Sequence, residues 1–279
     1  MPLPEAALNR WSGVAPFWEK YRHPIRQMFT PVAEALIQDA SIGRGQAVLD
    51  VATGPGEPAL TIAAAVGPQG RVAGIDPIPG MVDAARREAD RLGFAHAQFE
   101  VASADSLPFP DAAFDAVVSR FGAMFFPSPV DDVRELLRVL KPGGKLALAV
   151  WGSLEANPFF HTLQHVVDEF VPPSPPEPGA PAAPDAFRFA APGKLRDILA
   201  QAGAPSPSER LLKFTIHAPL SPEDFLTLRT EMSEVTRQRL AQLPPAQLAE
   251  ATRRILEALR PYSTPDGMRF PSEVLIAKA

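Results

Sequence analysis

The feature that most constrains the fold of this 279-residue chain is the alternation of two kinds of segment between residues 46 and 151. Short segments of five or six residues are largely apolar, which is typical of strands buried in a parallel sheet. Longer segments between them carry apolar residues at helical spacing. Because such an alternation requires right-handed crossovers, it predicts an α/β fold with a doubly wound, mostly parallel sheet. The predicted strands are Ala47–Val51, Arg71–Ile75, Ala97–Val101, Phe114–Val118 and Lys145–Val150, and the helices between them are Pro58–Val66, Gly80–Leu92 and Val130–Leu140.

The flanking sequence adds two strands and several helices to this core. The segments Leu211–His217 and Glu273–Lys278 are typical of strands, which makes a seven-stranded sheet. Further helices are predicted over Pro16–Ala40 with a break near Pro24, and over Pro158–Phe170, Pro192–Ala202, Pro222–Leu240 and Pro245–Leu259. We therefore expect an N-terminal helical lid (1–44), a cofactor-binding core (45–151), an insertion with a proline-rich connector (152–190), the remainder of the core sheet (191–218 and 271–279) and a helical cap (219–270).

Composition excludes several classes of function. The chain has no cysteine, so disulfides, thiolate metal sites and cysteine nucleophiles are absent. Its net charge of −5 and its lack of a long basic run argue against nucleic acid as a ligand. We find neither a secretion-signal pattern nor an apolar run of about 18 residues, and therefore expect a cytoplasmic protein without a membrane span. Proline, with 33 residues, is concentrated in Val171–Pro184, which predicts an extended connector.

The glycine-rich segment Asp50-Val-Ala-Thr-Gly-Pro-Gly56 follows the first predicted strand. Gly54 and Gly56 allow a sharp turn and a close approach of the backbone to a ligand, while Pro58 suits the first turn of a helix. This spacing fits a dinucleotide loop as well as a loop for an adenosyl cofactor, so the glycines alone leave the ligand open.

Two carboxylates bear on that choice. Asp76 ends the second predicted strand, where an acid accepts hydrogen bonds from ribose hydroxyls in either interpretation. Asp50 precedes the glycines and, together with Glu57, would repel a diphosphate but favour a cationic ligand such as S-adenosylmethionine. The alternative interpretation is that Asp50 only caps a nearby helix or loop. After the third strand, Asp105 is a candidate acceptor for the adenine amino group, although it could simply form a turn.

The order of these motifs resembles the class I S-adenosylmethionine-dependent methyltransferases, near their ubiquinone/menaquinone branch. The similarity is carried by Asp50–Gly56, Gly74–Met81, Ala104–Phe109 and Arg138–Gly144. It implies a Rossmann-like methyltransferase fold, S-adenosyl-L-methionine as cofactor and S-adenosyl-L-homocysteine as product. The cofactor-binding residues that we predict are Tyr21, Asp50, Ala52, Thr53, Gly54, Gly56, Asp76, Pro77, Ile78, Met81, Ala104, Asp105, Ser106, Arg120 and Phe121.

The methyl acceptor is expected beyond the carboxyl ends of strands four and five. Aromatic residues there predict an apolar pocket, with Phe125, Trp151 and His161 as candidate lining residues, although some of these rings could be ordinary core. His161 and His165 share a helix face, but without a well-matched third ligand we predict no metal site. Arg120 could pair with an acidic acceptor or with the acidic residues of the loop.

The sequence therefore predicts a methyltransferase acting on a small, largely apolar molecule. The alternatives are an NAD(P)-dependent oxidoreductase on a similar sheet and a non-catalytic S-adenosylmethionine-binding protein. The sequence leaves open the acceptor, the atom that is methylated, the use of a catalytic base and the oligomeric state, although the helical cap could form a homodimer interface.

Overall fold

The computed structural model describes residues 3–173 and 185–279. Most of the proline-rich connector predicted over residues 171–184 thus lies outside the described residues. Within the described ranges, no helix combines the length and the apolar character needed to cross a membrane.

One twisted sheet forms the centre of the molecule, in the strand order β3-β2-β1-β4-β5-β8-β6. The first five strands run parallel, while β8 pairs antiparallel to both β5 and β6. The prediction of a doubly wound, mostly parallel sheet is confirmed. The strands are β1 (Ala47–Val51), β2 (Arg71–Asp76), β3 (Ala97–Val101), β4 (Phe114–Arg120), β5 (Leu140–Trp151), β6 (Ser208–Ala218), the short β7 (Ser263–Thr264), which pairs with β8, and β8 (Gly267–Lys278).

The helices pack on both faces of this sheet and around its edges. The described helices are α1 (Glu5–Lys20), α2 (Arg22–Asp39), α3 (Ala59–Val66), α4 (Pro79–Leu92), α5 (Pro129–Val139), α6 (Pro158–Phe170), α7 (Lys194–Gln201), α8 (Pro222–Glu231), α9 (Glu234–Ala241) and α10 (Pro245–Leu259). Local signals fix their ends: α5 begins at a proline, and the Asp132 carboxylate accepts a hydrogen bond from the Ser128 amide at 3.0 Å. At the C-terminal end of α4, Gly93 takes the left-handed conformation with φ 71°.

The N-terminal helices differ from the prediction. The break lies at Tyr21 rather than near Pro24, and α1 begins eleven residues before the predicted start at Pro16. Pro16 itself lies inside α1. Tertiary packing explains the longer helix, because α1 places an apolar face against α4. That face forms a small cluster, separate from the main core, made of Ala15, Ile78 and Met81 with Leu8, Trp11 and Trp18 packed around them.

The cap region also differs in its boundaries. The single helix predicted over Pro222–Leu240 is wrong, because Ser233 starts a new helix by accepting a hydrogen bond from the Thr236 amide at 3.2 Å. The last strand begins at Gly267, which pairs with β7, and it pairs with β6 from Met268 to Lys278, so residues 267–270 belong to the sheet rather than to the helices. The division of the chain into functional segments itself stays a prediction.

Candidate active site

The glycine loop connects β1 to α3 at the carboxyl edge of the sheet, where both neighbouring parallel strands also end. Its conformation requires residues that tolerate a positive φ: Gly54 has φ 56° and Gly56 has φ 106°. Gly56 is further constrained because a Cβ there would lie 2.9 Å from the Leu60 side chain. Gly54 lines an open cavity, whereas Gly56 shapes the loop from behind.

Asp50 lies under this loop rather than on the cavity wall. It is fully buried, and its Oδ2 accepts hydrogen bonds from Thr53 Oγ1 at 2.7 Å and from the Ala59 amide at 3.0 Å. Because Ala59 is the first residue of α3, Asp50 does act as a cap. Its Oδ1 has no partner among the described residues. Burial raises the pKa of Asp50 to about 7 although Arg120 lies near enough to lower it, so Asp50 is about half ionised at neutral pH.

Asp76 is placed differently, because it lines the cavity directly. Its two carboxylate oxygens accept hydrogen bonds from the Gly54 and Ile78 amides, both at 3.0 Å. Each oxygen keeps a further lone pair that can accept from a ligand hydroxyl. Burial raises the pKa of Asp76 to about 6, which leaves it ionised at neutral pH.

The segment after β3 is only partly on the wall. Ala102, Ser103 and Ala104 line the cavity, while Asp105 and Ser106 do not. These two residues belong to a tight turn in which the Ser106 amide donates to the Ser103 carbonyl at 3.2 Å. The predicted contact of Asp105 with adenine stays a prediction.

An aromatic wall faces the glycine loop across the cavity. Phe121 has φ 65°, a strained conformation for a bulky residue, and lines the cavity. Its ring stacks on Trp151 with the centroids 4.2 Å apart and the planes 2° apart. Trp151 is buried behind Phe121 and does not reach the cavity, whereas Phe125 does. His161 is half-buried on α6 and also lies off the wall.

The lid closes the cavity with residues that the sequence analysis did not name. Trp11 and Trp18 of α1, and Arg22 and Phe29 of α2, all line it. Trp11 meets Phe125 edge to face, with the ring centroids 5.2 Å apart. The spacing of Trp11, Ala15 and Trp18 places them on one helix face, a signal that could have revealed the apolar side of the lid.

Tyr21 points away from the cavity. Its hydroxyl donates to Glu231 at 2.6 Å, and the same carboxylate forms an ion pair with Lys20 at 2.6 Å. Burial, together with the hydrogen bond to Glu231, raises the pKa of Tyr21. Tyr21 thus fastens the lid to α8, and its predicted contact with a cofactor stays a prediction.

Arg120 is the charged residue at the end of β4 and lies on the cavity wall with nine-tenths of its surface buried. Its Nη2 donates to the Glu57 carbonyl at 3.0 Å, and its Nη1 has no partner among the described residues. Burial lowers the pKa of Arg120. The Glu57 carboxylate is engaged elsewhere, by Thr61 Oγ1 at 2.7 Å and by Arg26 Nε at 3.3 Å.

The cavity is partly open to solvent, and about 1110 Å³ of free space lies between its walls and in its mouth. Its walls bring together eleven of the predicted residues: Ala52, Thr53, Gly54, Asp76, Pro77, Ile78, Met81, Ala104, Arg120, Phe121 and Phe125. Seven others lie off the wall: Tyr21, Asp50, Gly56, Asp105, Ser106, Trp151 and His161. Such a site can bind a nucleoside at its polar half and an apolar molecule under the lid.

Comparison with known proteins connects this geometry to a family. Residues 48–144 match the family model described as a methyltransferase domain. Over 121 residues the chain is 34% identical to the aklanonic acid methyltransferase DauC of Streptomyces sp. strain C5, covering 43% of this chain and 55% of that protein. Over 106 residues it is 37% identical to a demethylmenaquinone methyltransferase of Anoxybacillus flavithermus, covering 38% of this chain and 45% of that protein.

A solved structure extends the likeness of fold over most of the chain. The YcgJ protein of Bacillus subtilis matches with a TM-score of 0.55, 18% identity and coverage of 89% of this chain and 97% of that one. At this identity the likeness shows the fold alone. The chain spans about half the length of the curated relatives it matches, 55% and 45% for the two named above. The family match lies within residues 48–144, and these comparisons lend no support to the oxidoreductase alternative.

Proposed function

We propose, from the premise that residues 48–144 are a class I S-adenosylmethionine-dependent methyltransferase domain, that this protein transfers a methyl group to a small, largely apolar acceptor. The observation that carries the proposal is a cavity in which the glycine loop and Asp76 face an aromatic wall under the lid. Gly54 and Asp76 fit a ribose, and the aromatic wall fits a flat apolar molecule.

The residues of the wall fit S-adenosylmethionine as cofactor. Asp76 has spare lone pairs for the ribose hydroxyls, and the apolar side chains of Ile78 and Met81 lie beside it. Ala102 and Ala104 offer small surfaces against which an adenine ring can pack. When bound, the cofactor supplies an electrophilic methyl group on a sulfonium.

The chain's own contribution is alignment and exclusion of water. Trp11 and Trp18 close the cavity from above, and Phe121 and Phe125 hold an apolar acceptor in place. Alignment of two reactants can lower a barrier by up to about 7–11 kcal/mol. The charged residues on the described wall are Arg22, Glu57, Asp76 and Arg120, and the bonds of Glu57 to Thr61 and Arg26 disfavour it as a base. We therefore propose that the acceptor needs no dedicated catalytic base, as for a group that ionises readily in water.

The names of the two curated relatives suggest acceptors to try, aklanonic acid and demethylmenaquinone. The test is a methyl-transfer assay with isotopically labelled S-adenosylmethionine and a panel of quinones, hydroxyquinones and aromatic polyketides. Titration with S-adenosylhomocysteine by calorimetry measures cofactor binding independently of the acceptor. Failure of the wild-type protein to bind S-adenosylhomocysteine at millimolar concentration would refute the proposal.

Calorimetry also separates the catalytic proposal from the non-catalytic alternative. Tight cofactor binding without turnover on any acceptor would support a binding protein. Two expectations stay predictions: the acceptor is not a nucleic acid, and the helical cap mediates a homodimer.

A further inference from the structure

Arg229 of α8 is a part-buried cation without a partner. Its guanidinium carbon lies 4.5 Å from the ring centroid of Phe159 and 4.8 Å from that of Phe160, so two rings of α6 cover it. It forms no hydrogen bond and no ion pair with the described residues. Burial, with no charged neighbour acting on it, lowers the pKa of Arg229 to about 10. Such an arrangement is destabilising until an anion compensates the charge.

The acids at the C-terminal ends of the two neighbouring helices are engaged elsewhere. Glu231, two residues further along α8, is taken by the lid at 2.6 Å. On α6, Asp168 pairs with Arg239 at 2.7 Å and Glu169 pairs with Arg254 at 2.6 Å. These contacts leave the lone guanidinium to a ligand that supplies its own anionic oxygen.

The guanidinium of Arg229 is still within reach of a ligand. Its Nε is buried and has no partner, but the residue as a whole keeps accessible surface, which leaves Nη1 and Nη2 as the donors that a ligand can reach. The planar fork of an arginine matches a carboxylate. The surroundings are aromatic, because the half-buried ring of Phe160 also meets Phe187 edge to face at 5.3 Å. The site therefore suits an oxyanion on a flat apolar molecule better than a strongly hydrated inorganic ion.

Contacts between rings connect this site to the cavity. Phe160 meets Trp151 edge to face with the centroids 4.7 Å apart, and Trp151 stacks on Phe121 of the aromatic wall. Phe159 contacts Phe29, which also lines the cavity, with the centroids 6.0 Å apart. The arginine itself does not line the cavity, so it lies beyond the wall on the side of the helical cap. A molecule lying against the wall reaches it only with an end that extends towards α8.

We propose that Arg229 holds the acidic end of the methyl acceptor, and that its Nη1 and Nη2 donate to a carboxylate or another oxyanion on a flat aromatic molecule. This inference rests on the proposed function and adds that the acceptor is an acid. A separate aromatic acid that regulates the enzyme is the other source of the same group, and the experiment distinguishes the two.

The test removes the charge from the ligand and from the protein separately. Wild-type protein saturated with S-adenosylhomocysteine is titrated by calorimetry with 1-hydroxy-2-naphthoate and with its neutral counterpart, 1-hydroxy-2-naphthamide. We expect the acid to bind about 10- to 100-fold more tightly, the range of a hydrogen bond to a charged group. In Arg229→Met the affinity for the acid should fall by that factor, while the affinity for the amide should change by less than about threefold. Equal binding of the two probes by the wild-type protein, or no binding of the acid, overturns the proposal without any variant.

Arg254→Met is the matched control. Arg254 also lies over a ring, 5.5 Å from the centroid of Phe170, but it has an ion pair with Glu169. This variant should keep the full discrimination between acid and amide. Arg229→Lys keeps a cation and should keep part of it.

Urea unfolding separates ligand binding from a purely structural role of Arg229. Because methionine removes a charge that is buried without a partner, the unfolding midpoint of Arg229→Met should equal or exceed that of the wild type. A lower midpoint together with unchanged discrimination would mean that Arg229 only packs on its two rings, and the proposal would be wrong.

Kinetics assign the source of the acid. For acidic members of the acceptor panel, Arg229→Met should raise KM by the factor found in calorimetry and leave kcat within about threefold, while neutral members should be unaffected. If 1-hydroxy-2-naphthoate instead changes the turnover of neutral acceptors without competing with them, the ligand is a separate effector and the assignment to the acceptor is wrong. If wild-type protein does not bind S-adenosylhomocysteine, the proposed function fails, and that failure is independent of how the probes bind at Arg229.

Discussion

Replacing Asp50 by asparagine should make the stability of the protein depend less on pH. In the folded chain Asp50 is fully buried, and its pKa is raised from 3.8 to about 7 chiefly by that burial. A carboxyl with a raised pKa in the folded state favours folding most below its unfolded pKa, and this contribution is lost as the pH rises towards the folded pKa. Asparagine has the same shape, can accept the bonds from Thr53 and Ala59, and does not titrate.

The size of the effect follows from the two pKa values. Ionisation of Asp50 lowers the free energy of unfolding by about 1.7 kcal/mol at pH 5 and by about 4 kcal/mol at pH 8, relative to a group that stays neutral. The stability of Asp50→Asn relative to wild type should therefore rise by about 2.5 kcal/mol between pH 5 and pH 8. The two pKa values fix only this change with pH. The absolute difference in stability also depends on the asparagine amide, which places a donor where Oδ1 has no partner among the described residues.

The assay is urea unfolding followed by far-ultraviolet circular dichroism at pH 5, 6, 7 and 8, with equal m-values required of both proteins. Asp90→Asn, at an exposed position of α4, serves as the control and should show no such trend. A stability difference between Asp50→Asn and wild type that is constant across this pH range would refute the reasoning, since it would mean that Asp50 titrates at its ordinary pKa.

Three further predictions concern the cavity and the lid. In calorimetry, binding of the uncharged nucleoside 5′-methylthioadenosine should weaken as the pH falls through about 6, the pKa of Asp76. The Asp76→Asn variant should bind this nucleoside weakly and with no dependence on pH. Gly122→Ala should lower the free energy of unfolding by about 1–3 kcal/mol in urea, because the new Cβ would lie 2.5 Å from that of Ala52. Glu231→Gln should weaken the attachment of the lid through Tyr21 and increase the dissociation rate of S-adenosylhomocysteine several-fold in stopped-flow fluorescence of the lid tryptophans.

Each of these has a control on the same molecule. Asp83→Asn lies at an exposed position of α4 and should leave nucleoside binding unchanged. Gly43→Ala adds a Cβ with nothing within 4 Å and should be tolerated, so an equal loss of stability in both glycine variants would contradict the steric argument. Glu250→Gln breaks an exposed pair within α10, and a dissociation rate that rises equally in both variants would show that the lid attachment is not responsible.

Local sequence determined most of the fold between β1 and β5. Strands, helices and glycines there are specified by residues close in the chain: an apolar run predicts a buried strand, and glycine takes φ 56° at Gly54 without a steric cost. Because parallel strands end at one edge, the position of Asp76 after the second strand already placed it beside the loop. The start of α1 and the break at Ser233 were missed, since packing against α4 and a serine cap outweighed the proline and periodicity signals.

Only the tertiary structure decided which of these residues face a ligand. Asp50 and Trp151 lie one layer behind the wall, whereas Trp18 and Arg22 reach it from a helix pair far away in the sequence. The sequence cannot reveal that Arg120 Nη1 has no acceptor among the described residues, because burial and hydrogen-bond partners depend on every element packed around a side chain. Local periodicity therefore specifies the sheet and its loop, while the depth of each side chain, and with it the pKa of Asp50, is set by contacts between distant segments.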